Sequence, residues 1–492
     1  MNILLVYPKY PDTFWSLKHV LKFISKKAAF PPLGLLTVAS MLPKAWQKKL
    51  VDVNVTELRD EQIAWADMIF IGAMIVQMDS AQEIIHRCKA QGKTVVAGGP
   101  AVTTQPDKLE GVDHYVLNEA EITLPLFLSD LEKGTVKPVY ASPERPDITN
   151  TPVPDWSLIN FRDYANMPIQ YSRGCPFNCE FCDIIVMYGR TPRTKSPNQM
   201  VRELQALLEA GWKNDIFIVD DNFIGNKSNV KKMLPLLAQW QKEHNYPFTI
   251  TTEASTNLAD DEELMQMMSA ANFHKVFLGI ETPNIDSLQE CGKVQNTTCN
   301  LEEAVKIIQQ NGMQVMGGFI VGFDHDTESI FETQIRFIQK VGIVTAMVVL
   351  LYALPRTRLW HRLEAEGRLL KKATGKSNDA HVNFIPNMAQ EKLLAGYQKI
   401  LSTIYSPRAY YERINTFIRN YTPLVKEHVS AEDIMATIRS FWRIGILSPS
   451  RFLYWRLIIK TSLSKLKALP IAIELAIYGI HFEELSKDKS QA

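Results

Sequence analysis

The chain is poor in cysteine, with six in 492 residues. That is too few for a disulfide-stapled secreted scaffold. It also lacks a long apolar run. The two longest, Gly342–Pro355 and Ala468–Phe482, fall short of the roughly 20 residues that span a bilayer, and Glu474 interrupts the second. No charge of one sign is in excess: Lys and Arg total 54, Asp and Glu 53, for a net charge of +1. This excludes bulk electrostatic binding of nucleic acid, and no nucleic-acid partner is expected. There are no repeats of fixed period and no low-complexity tracts. The opening MNILLVYPKYP has no basic segment, and its apolar stretch Ile3–Tyr7 is too short for a secretion signal. It reads as the first strand of a cytoplasmic protein. The hydrophobic content of 46% supports more than one core, and the length fits about three domains.

Residues 1–140 alternate short apolar runs with helical patterns. Ile3–Tyr7, Val51–Thr56, Met68–Ala73, Thr94–Ala97 and His114–Leu117 read as strands, Ser80–Gln91 and Glu121–Lys133 as helices. Such alternation predicts a parallel sheet covered on both faces. Gly98-Gly99-Pro100 follows a strand, where open α/β sheets bind ligands; a tight turn is the plainer reading. Residues 141–165 form a linker marked by Pro143, Pro146, Pro152 and Pro154. Residues 166–360 repeat the alternation. Strands are expected at Ile169–Ser172, Ile216–Asp220, Phe248–Thr252, Lys275–Ile280, Gln314–Val321 and Thr345–Leu351. Helices are expected at Pro197–Ala210, Asn229–Glu243, Asp260–Ala271, Leu301–Asn311 and Thr327–Val341. Six strand–helix steps make a partial TIM-type barrel with its chemistry at the strands' carboxyl ends. Residues 361–492 lose the strand signal and read as a helical domain.

Cys175, Cys179 and Cys182 lie within eight residues as C-x3-C-x2-C, on a loop after a strand. Three thiolates so close suit three irons of a cubane cluster, leaving one iron open to a non-protein ligand. Structural zinc is the competing reading. It wants four ligands, usually from two paired motifs, and Cys88, Cys291 and Cys299 are far away in sequence. Cys291 and Cys299 flank a polar loop where a reactive thiol is conceivable; Cys88 reads as a buried helix residue. Asp324-His325-Asp326 reads as a polar loop that is able to touch substrate.

With Phe181 just before the third cysteine, the motif resembles that of the radical S-adenosylmethionine (SAM) superfamily. The preceding α/β stretch, with Gly98–Pro100 and Asn118–Glu121, is similar to a cobalamin-binding Rossmann-like domain. Together, over residues 1–360, they resemble the cobalamin-dependent radical SAM family, and the C-terminal part resembles the extension of the subgroup that includes hopanoid methylases. The resemblance implies a 4Fe–4S cluster on Cys175, Cys179 and Cys182, with SAM on its open iron. It implies SAM contacts at the barrel strand ends: Phe181, Asp220, Asp221, Glu253, Gly279, Glu281, Gly322 and Tyr352. For each acid the plainer reading is a helix cap or a surface charge. It implies cobalamin contacts at Tyr7, Pro8, Pro32, Leu33, Gly34, Met74, Gln77, Gly98, Gly99, Pro100, Glu119 and Glu121. No D-x-H-x-x-G occurs in the chain, so cobalamin is expected without a protein histidine on cobalt, and His86 reads as a packing or surface residue. The implied reaction is methylation of an unactivated carbon through a 5′-deoxyadenosyl radical and methylcobalamin, on a hydrophobic or lipid-like small molecule, with an external electron donor. A radical enzyme that couples or cyclises carbons, and a non-catalytic cluster or cobalamin sensor, are the alternatives.

Between Arg439 and Ile473 there is no acidic residue. Arg439, Arg443, Arg451, Arg456, Lys460, Lys465 and Lys467 are interleaved with Phe441, Trp442, Phe452, Tyr454 and Trp455. Two readings are open: a solvated basic face with aromatics packed inward, or a peripheral membrane contact.

Overall fold

The computed structural model describes residues 1–370, 382–426 and 429–490. The chain forms two compact units. The first comprises Met1–Asp12, Lys27–Ile169 and Arg193–Trp212, the second Thr13–Lys26, Gln170–Pro192 and the chain from Lys213 onward.

The first unit is built on strands β1 (Asn2–Tyr7), β2 (Gln47–Asp52), β3 (Met68–Gly72), β4 (Thr94–Gly98), β5 (His114–Val116) and β6 (Val139–Tyr140). All neighbours are parallel, in the order β2-β1-β3-β4-β5-β6. Side chains alternate across a strand, and here both sets are apolar. Leu4, Val6, Ile69, Ile71, Val95 and Ala97 enter one core with helix Met78–Ala90. Ile3, Leu5, Met68, Phe70 and Val96 enter the other with helices Leu33–Met41 and Ala120–Lys133. The order reverses beside β1, so the crevice at the carboxyl ends of β1 and β3 is the expected ligand site. The expected strand Val51–Thr56 lies earlier, at Gln47–Asp52. It is an edge strand with Lys48 and Lys49 among its partly exposed positions, a disguise edge strands commonly wear. Val55 and Thr56 donate instead to the Asp52 carbonyl in a turn.

Strands β7 (Met167–Ile169) and β9 (Arg193–Thr194) also belong to the first unit, and β8 (Ser172–Arg173) to the second. The continuous strand expected at Ile169–Ser172 is thus broken. The Tyr171 amide donates to the Asp220 carboxylate (2.7 Å), not to a neighbouring strand.

The second unit carries β10 (Ile216–Ile218), β11 (Ile250–Ala254), β12 (Phe273–Glu281), β13 (Gln314–Val321) and β14 (Ala346–Leu350). They run parallel in that order. Helices Lys227–Glu243, Glu262–Ala270, Leu301–Gln310 and Ser329–Val341 connect them. β11 starts two residues later than expected, and β12 extends further at both ends. After β14 the unit is helical: Gln390–Ile404, Pro407–Asn420, Ala431–Trp442, Arg451–Ser464 and Leu469–Ser490. Among the described residues no helix is long and apolar enough to cross a membrane.

Candidate functional site

In the second unit the cysteine loop Gly174–Cys182 opens onto the strand ends. Asp220, just past β10, is buried and anchors the segment before the loop. Its two oxygens accept from the Tyr171 amide and the Ser172 hydroxyl, both at 2.7 Å. Asp221 accepts from the Gly174 amide at 3.2 Å. The loop itself is tied down at Glu180, whose amide donates to the Cys291 carbonyl (2.8 Å) and whose carbonyl accepts from the Leu359 amide (3.0 Å). The Glu180 carboxylate takes a two-pronged bond from Arg362, at 2.7 and 3.2 Å. Such forks fix orientation as well as charge.

The three thiols gather N–H donors. Asn222 Nδ2 approaches Cys175 Sγ at 3.8 Å and Gln295 Nε2 approaches Cys179 Sγ at 3.9 Å. Backbone amides of Phe177 and Ile184 face Cys175 and Cys182. Burial pushes all three thiols up, and each is raised further by at least one neighbouring carboxylate or cysteine. Bare thiolates are therefore disfavoured, whereas iron would stabilise them. The Gln295 side-chain oxygen Oε1 is buried without a partner. Among the described residues no His, Cys, Asp and Glu converge on one ion. A cubane does not need that, since each iron takes its own thiolate. Three soft donors ringed by N–H groups fit an iron–sulfur cluster.

Beside the loop, carboxylates collect at the strand ends, Glu281 buried and Asp221 and Glu253 half-buried. Glu253, on β11, is pushed up to about 8, first by burial, then by Asp221 and Asp220, with Lys293 opposing. Asp221 is pushed up to about 7, chiefly by burial. Glu281 ends β12 in the left-handed region (φ 63°), just after a register shift in the pairing. A non-glycine residue held there is strained and is common at functional sites. Its carboxylate pairs with Lys293 at 2.5 Å. Burial works against the Lys293 charge, but Glu281 and then Cys179 hold its proton on. Gly279 has no Cβ because one would meet Glu281 Oε1 and Lys293 Nζ at 2.5 Å, so it makes room for this ion pair. Gly322, past β13, has φ 108° and donates its amide to Asp326 at 2.8 Å. Phe181 packs against Phe323, ring centroids 6.2 Å apart, and half-buried Tyr352 follows β14. An acid-rich, partly desolvated group of strand ends beside the cysteine loop suits a cationic ligand, and SAM carries both a sulfonium and an ammonium.

The polar loop after β13 is spoken for. Asp324 binds Arg362 and Arg368, His325 binds Glu290, and Asp326 caps Gly322 and Phe323. Cys291 is buried; Cys299 lies near the Thr256 hydroxyl at 3.8 Å.

In the first unit the crevice at the carboxyl ends of β1 and β3 is organised by Gln77. Its amide donates to the Pro8 carbonyl (2.5 Å) and its carbonyl accepts from the Met74 amide (2.8 Å). One fully buried side chain thus ties together the loops after two strands. Tyr7 lies beneath, its hydroxyl pushed up by burial and by Asp52. Gly98 and Gly99 follow β4. A Cβ on Gly98 would meet the Val116 carbonyl at 2.8 Å; Gly99 has φ 95° and lies against the Ala73 backbone. Pro100 begins a helical turn, as Pro32 and Leu33 do for helix Leu33–Met41, and Gly34 faces open space. Met74 is exposed. Glu119 is buried and doubly bonded to Arg193, at 2.8 and 3.0 Å. Glu121 accepts from Thr151 at 2.7 Å. These two acids therefore hold the unit together. The unit contains two histidines. His86 lies mid-helix against Gln82 and His114 opens β5 at its amino end. Neither reaches the carboxyl ends, so cobalamin there would have no histidine from this unit.

Known families match both units. Residues 24–128 match the B12 binding domain, 169–338 the radical SAM superfamily and 357–492 a domain of unknown function. A protein of Synechocystis sp. named as an uncharacterized methyltransferase is 45% identical, covering 92% of this chain and 86% of its own. The hopanoid C-2 methylase of Rhodopseudomonas palustris is 32% identical over 97% of this chain and 93% of its own. The chain belongs to the cobalamin-dependent radical SAM methyltransferases. The fold agrees: the cobalamin-dependent SAM radical enzyme OxsB, solved with aqua-cobalamin, superimposes with a TM-score of 0.65 at 15% identity, covering 100% of this chain and 80% of that one. As a cobalamin-dependent radical SAM methyltransferase, the protein is an enzyme whose cofactors are a 4Fe–4S cluster, SAM and cobalamin.

Within this family frame, several residues stand out that the sequence did not single out. Lys293, Gln295, Glu180, Arg362 and Arg193 hold the two sites. Only Glu180, lying inside the cysteine motif, carried a local signal.

Proposed function

We propose that the enzyme methylates an unactivated carbon of a hydrophobic, lipid-like molecule, by way of a 5′-deoxyadenosyl radical. The cysteine loop beside the desolvated carboxylates of Asp221, Glu253 and Glu281 carries this reading, because it offers adjacent places for a redox cluster and for cationic SAM. Reductive cleavage of SAM supplies the radical, and cobalamin supplies the methyl group. The protein's own residues orient and exclude water. Arg362 and Glu180 fix the loop, Glu253 and Asp221 face the cationic cofactor, and Gln77 shapes the loops that hold the corrin. On this reading residues 1–140 bind cobalamin, 166–360 bind cluster and SAM, and 361–492 serve the substrate. One SAM gives methionine and carries the hydrogen away as 5′-deoxyadenosine, a second would supply the methyl group by way of cobalamin and leave as S-adenosylhomocysteine, and an external donor supplies the two electrons. We place the enzyme in the cytoplasm. The similarity to a hopanoid methylase over nearly the whole of both chains supports a polycyclic lipid as acceptor.

The test is anaerobic purification with cobalamin, then incubation with a reductant, trideuteromethyl-labelled SAM and a panel of polycyclic lipids including hopanoids. We expect about four irons per chain, release of 5′-deoxyadenosine, and a trideuteromethyl group on a lipid carbon. A fully loaded protein that releases no 5′-deoxyadenosine would be a sensor. Methyl transfer only to polar acceptors would overturn the lipid assignment.

A further inference from the structure

Helix Arg451–Ser464 is apolar on two opposite faces. At about 100° per residue, Tyr454, Leu457, Ile458 and Thr461 form one stripe, and they are buried. Phe452, Trp455, Ile459 and Leu463 form the opposite stripe, and they are exposed, Phe452 by 75% and Leu463 by 85%. A helix with two apolar faces normally has both covered. Here protein covers only one side.

The exposed stripe does not stand alone. In helix Ala431–Trp442, Ile434, Ile438 and Trp442 recur at four-residue steps and are also exposed. The two helices are joined by a π-helical turn, Arg443–Leu447, that leaves Ile446 and Leu447 in solvent. Trp455 donates its indole N–H to the Gly445 carbonyl at 2.9 Å. Its polar end is therefore satisfied while its ring stays exposed. Contiguous apolar patches of this kind mark interaction surfaces.

Past the first turn of helix Ala431–Trp442, where Glu432 and Asp433 are exposed, the charge around the patch has one sign. On the second helix Arg456 and Lys460 flank one side of the apolar stripe and Arg451 the other. Arg443 and Lys467 are exposed nearby, and no acidic residue lies between Arg439 and Ile473. Of the remaining basic residues, Arg439 and Lys465 are spent on backbone carbonyls. Apolar and aromatic side chains rimmed by unopposed cations match the boundary between acyl chains and anionic headgroups.

We propose that this helix pair docks the enzyme onto a bilayer bearing anionic lipids, its apolar stripe at the level of the headgroups. The inference stands on the second unit alone and does not depend on the nature of the substrate. The test is flotation of the full-length holoenzyme with vesicles of phosphatidylcholine, with and without phosphatidylglycerol. The wild type should float with the anionic vesicles about tenfold more than with the neutral ones, and added salt should weaken it. Phe452→Ser/Leu463→Ser should float at least about tenfold less while its reductive SAM cleavage is unchanged. Arg451→Glu/Arg456→Glu/Lys460→Glu should lose the preference for anionic lipid, whereas Arg408→Glu, outside the patch, should not. Failure of the wild type to float overturns the proposal, as does equal flotation of the serine variant. A dimer in sedimentation velocity that the serine variant dissolves, with no flotation of either, would assign the patch to a second copy of the chain.

Discussion

Glu253 shows what burial does to a single residue at this site. Its carboxyl, held up to about 8, is largely protonated at pH 7 in the free protein. A cation arriving beside it favours the charged form and pulls its proton off. SAM binding at pH 7 should therefore release protons, and affinity should rise with pH until about 8, where the free carboxyl is already ionised. Calorimetric titration in buffers of different ionisation enthalpy measures the release. Glu253→Gln should lower it and weaken SAM binding by about tenfold, roughly the loss of one charge-assisted contact, without loss of iron. Proton release unchanged by the substitution would remove Glu253 from the SAM pocket. The cysteines allow a simpler contrast. Cys175→Ser, Cys179→Ser or Cys182→Ser should each lose cluster iron, while Cys299→Ala should keep both iron and turnover. The motif was legible in sequence because its three thiols are local. Gln295 and Arg362 were not, for they reach Cys179 and Glu180 across 116 and 182 residues. No local pattern marks such partners.

Elements were legible where they are buried. The central strands of the first sheet are apolar on both faces, and periodicity located them. The edge strand β2, with its lysines, was displaced, and the strand expected at Ile169–Ser172 is broken because the Asp220 carboxylate takes the Tyr171 amide that a strand neighbour would otherwise take. Helix Pro197–Glu209 was expected from its pattern, but its membership of the first unit was not. The segment Arg193–Trp212 returns to that unit through Arg193, whose fork reaches Glu119 74 residues away, and through Gln199, which donates to the Ile148 and Thr151 carbonyls. Arg193→Ala would leave the Glu119 charge buried with its main partner gone, a change that costs about 3–5 kcal/mol. Hydrogen exchange should show faster opening of Ala120–Lys133 and Pro197–Glu209 together, with the second unit's strands unaffected. Arg193→Lys should rescue only part of this, since a point charge cannot form the fork. Exchange unchanged in both helices would mean that Arg193 does not clamp this element.

The whole molecule combines two cofactor systems on two compact units, one with a candidate site at the carboxyl ends of β1 and β3, the other with one at the ends of β10 to β14. Alternating strands and helices made the α/β class legible. The traffic of short segments between units was hidden, because composition does not change where the chain crosses over. If each unit folds around its own core, each cofactor should be removable without the other. Protein produced without cobalamin should keep its iron and still release 5′-deoxyadenosine from SAM, within a few-fold of the full rate, since every thiol and carboxylate that serves cluster and SAM lies in the second unit. Its methyl transfer should fall to background. Cys175→Ser should show the converse, with cobalamin retained and neither product formed, because Gln77 and the Gly98–Gly99 turn lie wholly in the first unit. Cobalt and iron analysis, paired with chromatography of the SAM-derived products, reads these outcomes from two preparations. Loss of SAM cleavage in the iron-replete, cobalamin-free protein would show that the units are coupled through the corrin, and the division of labour between residues 1–140 and 166–360 would fail with it.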